Sequence, residues 1–124
     1  MIKLKNTVKD NREFVFAYRR GRKVVTPYFV FYVSENKAGK NKLGITVSKA
    51  IGKAHDRNRA KRIIREAYRQ CLEKREVTTG HNIIVVARER IGDAPFEKIC
   101  GAMVFSAEQT ELYVKTTDTD GGRA

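Results

Sequence analysis

The chain has no tryptophan, and only two cysteines, two prolines, two methionines and two histidines in 124 residues. Two thiols cannot complete a four-cysteine zinc cluster, and no zinc signature spans the Cys and His positions. Cys71 and Cys100 each fall within a helical apolar pattern, so they read as core cysteines of a reduced, cytoplasmic protein. No apolar run approaches the ~20 residues of a membrane span. No signal-peptide apolar core follows a charged start. A protein nuclease would need clustered carboxylates, or a histidine with a partner. His55-Asp56 is the only adjacent His/acid pair, and it reads as a loop histidine beside a helix cap, while His81 has no acidic neighbour in sequence. A glycine-rich phosphate loop is also missing. These scarcities predict no catalytic side chains and no metal site in the protein itself.

Negative charge is scarce too: 14 Asp and Glu stand against 26 Lys and Arg, for a net charge of +12. The imbalance is local. Met1 to Arg75 holds 21 cations against 6 acids (+15), whereas Glu76 to Ala124 holds 5 against 8 (−3). A field confined to one part of a small chain implies a polyanionic partner. Without an anchor for a bilayer, nucleic acid is favoured over a membrane.

The length suits one domain, residues 1–115, with 116–124 ("TDTDGGRA" and the preceding Thr) lacking an apolar anchor and expected to be disordered. A first helix is predicted from about Thr7 to Arg20, with Asn6 as cap and Gly21 as stop. "KVVTPYFVFYV" is extended, with Pro27 bending it or marking an edge. It is expected to pair with "KLGITVS" through the polar loop "SENKAGKNK". A second helix is predicted from a cap at Asp56 to about Arg75. Its buried face is Ala60, Ile63, Ile64, Ala67, Tyr68 and Cys71. Asn82 to Arg88 reads as a strand buried on both sides. Phe96, Ile99, Cys100, Met103 and Ala107 define a third helix, in which Gly101 is unfavourable. The order α-β-β-α-β-α gives an α+β fold: a two-layer α/β sandwich on a small mixed sheet.

The second helix poses a physical problem. From His55 to Gln70 it carries six cations and only Asp56 and Glu66 as acids. Arg57, Arg59 and Lys61 occupy its first turns, where the macrodipole is already positive and each cation costs about 0.3–1 kcal/mol. Two acids are too few for a neutralising i, i+4 ladder. On a helical wheel Asn58, Arg62, Arg65 and Arg69 lie opposite the apolar face, flanked by Lys61 and Arg59. A phosphate backbone would relieve this repulsion, and free N–H groups at a helix N-terminus already favour anions. The function classes left open are a small basic ribosomal or chaperone-like RNA-binding protein without a catalytic partner, and a DNA-binding helix.

The motif "SKAIGKAHDRNRAKRIIREAYR", Ser48 to Arg69, resembles the signature of the bacterial ribonuclease P protein component, around the core Arg57-Asn58-Arg59. The likeness continues in "REF…Y…G" from Arg12, "FVFYV" from Phe29, "LGITVSK" from Leu43 and "IIVVAR" from Ile83, covering roughly residues 4–115. The resemblance implies a left-handed crossover between the parallel strands flanking the signature helix, against the usual hand. It further implies a protein subunit that helps a catalytic RNA remove 5′ leaders from precursor tRNA, with Mg2+ held mainly by that RNA and none by the protein alone. Lys49, Lys53, Arg57, Asn58, Arg59, Lys61, Arg62, Arg65 and Arg69 would face the RNA subunit. Phe14, Tyr18, Val30 and Tyr32 would line a cleft for the single-stranded leader. Tyr18 replaces the family's usual Phe and adds a hydroxyl, and against the family's pattern fewer basic contacts are expected before the first helix.

Periodicity alone assigns Phe14, Phe29, Phe31 and Val33 to the core. Tyr18 and Tyr32, with polar tips, suit a partly open surface. Rings of this kind stack on unpaired bases with little sequence preference, for roughly 1–3 kcal/mol each.

Overall fold

Asp10 opens the first helix, α1 (Asn11–Arg20), by accepting the Arg12 N–H on its carboxylate at 2.9 Å. The computed structural model describes residues 7–8, 10–73 and 80–112. The helix begins at Asn11 rather than near Thr7, because Thr7 forms a parallel bridge to Leu43 and the Val8 N–H bonds the Leu43 carbonyl at 3.0 Å. Chain drawn into a sheet cannot also be helical. Asn6 lies outside the described residues, whereas Gly21 ends the helix as expected, its N–H on the Ala17 carbonyl.

The extended run is two strands. β1 (Arg22–Val25) and β2 (Phe29–Glu35) form an antiparallel hairpin about Pro27. Thr26 holds the turn: its Oγ1 donates to the Phe29 carbonyl at 2.8 Å and accepts the Phe29 N–H at 3.1 Å. At the tip, proline's missing donor costs nothing. The observed order is therefore α-β-β-β-α-β-α, with one strand more than predicted.

The expected pairing of β2 with β3 (Lys42–Thr46) does not occur. β4 (His81–Ala87) lies between them, antiparallel to β2 and parallel to β3, giving the sheet order β1-β2-β4-β3. The physical reason is burial. Ile83, Ile84 and Val85 are each fully buried, so β4 needs both a partner on either edge and cover on either face. Helix α2 (Ala54–Tyr68) makes the crossover between the parallel strands.

α2 also begins earlier than predicted. Asp56 lies within the first turn and accepts the Lys53 N–H at 3.2 Å, so it caps from inside the helix. His55, expected in a loop, lies in that same turn with Nε2 3.2 Å from Asp56 Oδ1. At the far end the helix widens into a π-turn, Arg69–Glu73, and the predicted end at Arg75 lies outside the described residues. Helix α3 (Phe96–Gln109) starts where expected. The tail from 116 is outside the described residues.

Register divides the sheet faces. Phe29, Phe31, Val33, Leu43, Ile83 and Val85 face Ile64, Ala67, Ile99 and Met103 of α2 and α3, forming the main core. Burying such side chains contributes about 1.5–3 kcal/mol each. Cys71 and Cys100 pack against this core as half-buried free thiols. α1 lies across the opposite face and covers only part of it. Among the described residues, no helix is long and apolar enough to cross a membrane.

Candidate nucleic-acid interface

The cationic surface starts from α2's core positions. Ala60, Ile64, Ala67 and Tyr68 are buried, as the periodicity predicted, which turns Asn58, Arg59 and Arg62 fully outward. Lys53 just before the helix and Lys49 in the preceding 3-10 turn (Lys49–Ile51) are exposed too. Gly52 makes this tight approach. Its φ of 138° disfavours any side chain, and an added Cβ would meet the Asp56 carboxylate at 2.6 Å.

The nine residues singled out from the sequence are not equivalent. Arg57 is half-buried and donates to the Gly52 carbonyl at 2.8 Å, bracing the turn. Arg69 pairs with Glu66 at 2.6 Å, with its buried Nε unpartnered among the described residues. Lys61 and Arg65 are half-buried. The outward charge therefore rests on Lys49, Lys53, Arg59 and Arg62, beside a helix N-terminus that is itself positive. Periodicity shows which side of a helix a residue occupies, but not which carbonyl or carboxylate meets its head group.

The second surface lies on the other face of the sheet. Phe14 and Tyr18 come from α1, and Val30 and Tyr32 from β2, so the structure brings all four predicted residues to one face. The Tyr18 and Tyr32 rings meet edge to face, centroids 5.0 Å apart and planes at 69°. Tyr18 is 41% exposed, and its hydroxyl lies 3.0 Å from Thr46 Oγ1. The floor is polar at one wall and apolar at the centre, where Val30 sits opposite Val86 in the strand register.

Phe14 is half-buried and touches Tyr18, with centroids 6.4 Å apart. It rests on Gly44 of β3, where an added Cβ would lie 2.9 Å from its ring. α1 is tied down by a buried polar bridge. The Asn82 amide donates to Glu13 Oε2 at 2.9 Å and its carbonyl oxygen accepts from the Asn36 amide at 2.9 Å, while Lys42 stands 3.7 Å from the same carboxylate. Thr46, Gly44 and Asn82 were not singled out from the sequence. Alternation along β3 and β4 places them on this face, but nothing in their local sequence marks them as partners of α1.

The hydrogen bond from the Arg12 guanidinium holds the exposed Asp10 carboxyl below its usual range. Burial, reinforced by Cys71, pushes the Cys100 thiol up to about 12. No group of three or more His, Cys, Asp or Glu side chains comes together to hold a metal ion among the described residues.

The family model described as Ribonuclease P matches residues 2–111. The Ribonuclease P protein component of Clostridium botulinum (strain Loch Maree / Type A3) is 34% identical over 108 residues, spanning 87% of this chain and 96% of that protein. The corresponding component of Thermoanaerobacter sp. (strain X514) is 39% identical over 106 residues, spanning 86% and 90%. The RNase P protein of Staphylococcus aureus superposes with a TM-score of 0.76 at 30% identity, covering 90% of this chain and all of that one. These likenesses do not favour a ribosomal or chaperone-like protein. By signature, fold and family match, the chain belongs to the ribonuclease P protein family.

Proposed function

We propose that the chain works as the protein half of a cytoplasmic ribonucleoprotein that removes the 5′ leader from precursor tRNA. The α2 side takes the RNA subunit through Lys49, Lys53, Arg59, Lys61 and Arg62, with Arg57, Asn58, Arg65 and Arg69 shaping that surface. The opposite side takes the single-stranded leader, with Tyr18 and Tyr32 as stacking platforms over Val30 and Phe14. In this reading the RNA subunit holds the Mg2+ ions and performs the cleavage. The protein's cations lower phosphate repulsion, and so lower the metal requirement.

The observation that carries the reading is the placement of two chemically different surfaces on opposite faces of one sheet. One offers exposed guanidinium and ammonium groups at a helix start, suited to a structured phosphate backbone. The other offers paired rings in an open cleft, suited to unpaired bases. Reconstitution tests it. Protein freed of RNA should leave precursor tRNA intact, whereas addition to the cognate RNA subunit should raise cleavage, most visibly at low Mg2+. Robust cleavage by the protein alone, or no gain on reconstitution, would reject the proposal.

A further inference from the structure

The cleft uses only one side of α1. On the other side Val15 and Phe16 point away from the sheet, 40% and 51% exposed. Single exposed apolar residues are ordinary. These two, however, share an open groove of about 750 Å3 with Arg12, Arg19 and Arg20. Phe16 and Arg20 also border a hollow of about 250 Å3 with Arg22, Ser34 and Glu35, and the Ser34 hydroxyl is buried without a hydrogen-bond partner among the described residues.

The positive charge does not stop at the helix. Arg19, Arg20, Arg22 and Lys23 are all exposed across the turn from α1 to β1. Arg22 stands 3.7 Å from the exposed Glu111. Lys23 stands opposite Tyr32 in the β1–β2 register, on the cleft side. A cationic ridge therefore leads out of the cleft, round the end of α1, and onto the Phe16 groove.

We propose that the outer face of α1 is a second single-stranded RNA surface, which takes leader nucleotides beyond those stacked on Tyr18 and Tyr32. Phe16 is the base platform, and Arg19, Arg20 and Arg22 are the phosphate contacts. The inference rests on the leader reading of the cleft. Three arguments select this occupant. Arginine pairs with phosphate through a planar fork and stacks on bases as well, so arginines around an exposed ring fit a single strand. The ridge is continuous with the cleft, so a strand leaving it meets these groups next. The α2 surface, reserved for the RNA subunit, lies across the sheet from α1.

The test uses holoenzyme reconstituted from the full chain and two precursors. One has a leader short enough to end inside the cleft, and the other a long unstructured extension. The triple variant Phe16→Ala/Arg19→Ala/Arg20→Ala alters only exposed positions, and its fold is checked by thermal melting. It should bind the long-leader precursor about tenfold more weakly, with a flatter salt dependence, and the short-leader precursor as the unmodified protein does. A photoreactive p-benzoylphenylalanine at position 16 should crosslink to the leader extension. The proposal is overturned if the triple variant treats both precursors normally while Tyr18→Ala still separates them. It is equally overturned if position 16 crosslinks to the RNA subunit, a second protein copy or the chain's own C-terminal segment. If the unmodified holoenzyme ignores leader length altogether, the cleft reading falls as well.

Discussion

Tyr18→Ala removes three things at once: a ring edge-to-face with Tyr32 at 5.0 Å, a contact with Phe14, and a hydroxyl 3.0 Å from Thr46. The ring pair is worth about 0.5–1.5 kcal/mol and the hydrogen bond a similar amount. Tyr18 is 41% exposed, so no sealed cavity is left behind. Loss of roughly 1–3 kcal/mol from a domain stable by about 5–15 kcal/mol leaves it folded. Binding should change more selectively. If a leader base stacks on the ring, the precursor loses about 1–3 kcal/mol, or roughly 5- to 150-fold in affinity. Mature tRNA, without a leader, should bind nearly as before. Tyr18→Phe keeps the ring and drops only the hydroxyl, so it should retain most of the affinity and isolate the stacking contribution. The assay is titration of reconstituted holoenzyme with precursors bearing one leader nucleotide or several, alongside mature tRNA. Equal losses for all three RNAs, with native folding confirmed by circular dichroism, would show that Tyr18 does not stack on the leader.

Replacing Lys53, Arg59 and Arg62 by Ala should weaken assembly with the RNA subunit and flatten its salt dependence by about 0.7–0.9 logarithmic units per lost phosphate contact; an unchanged slope in filter binding would mean this face is only solvated. These side chains are exposed, so the free protein should melt at the same temperature or slightly higher as helix-end repulsion falls. Asn82→Ala strips Glu13 and Asn36 of a buried partner, and should cost about 1–3 kcal/mol in urea unfolding while loosening α1. A stability loss confined to a few tenths would show that Lys42 alone suffices. Cys100, with its pKa pushed to about 12, keeps its proton in the native state. Its stabilising share is present below the ordinary thiol pKa and is lost as pH rises toward the shifted value. Maleimide should therefore label Cys100 at mildly alkaline pH only after unfolding, and rapid native labelling on intact-mass analysis would contradict the burial argument.

Local pattern was enough for the helices. The 3.6-residue spacing marked Ala60, Ile64, Ala67 and Tyr68 as α2's buried side, and it marked Ile99, Met103 and Ala107 for α3. Side chains three and four apart share a face whatever the rest of the chain does. Charge scarcity and the signature around Arg57-Asn58-Arg59 likewise needed no coordinates. Helix ends were less legible. Thr7 reads as a helix start until Leu43, distant in sequence, draws it into the sheet. Pairing was the least legible. β2 and β3 are joined by a short polar loop, yet β4 separates them, since only its central position buries Ile83, Ile84 and Val85 on both faces. That insertion sets the spacing between Tyr32 on β2 and Thr46 on β3 that Tyr18 spans. The sequence by itself determined the composition of both surfaces, because residue type and helical period are local properties. The tertiary structure decided which cations are anchored, which rings meet and which face each surface occupies, because those depend on contacts between segments far apart along the chain.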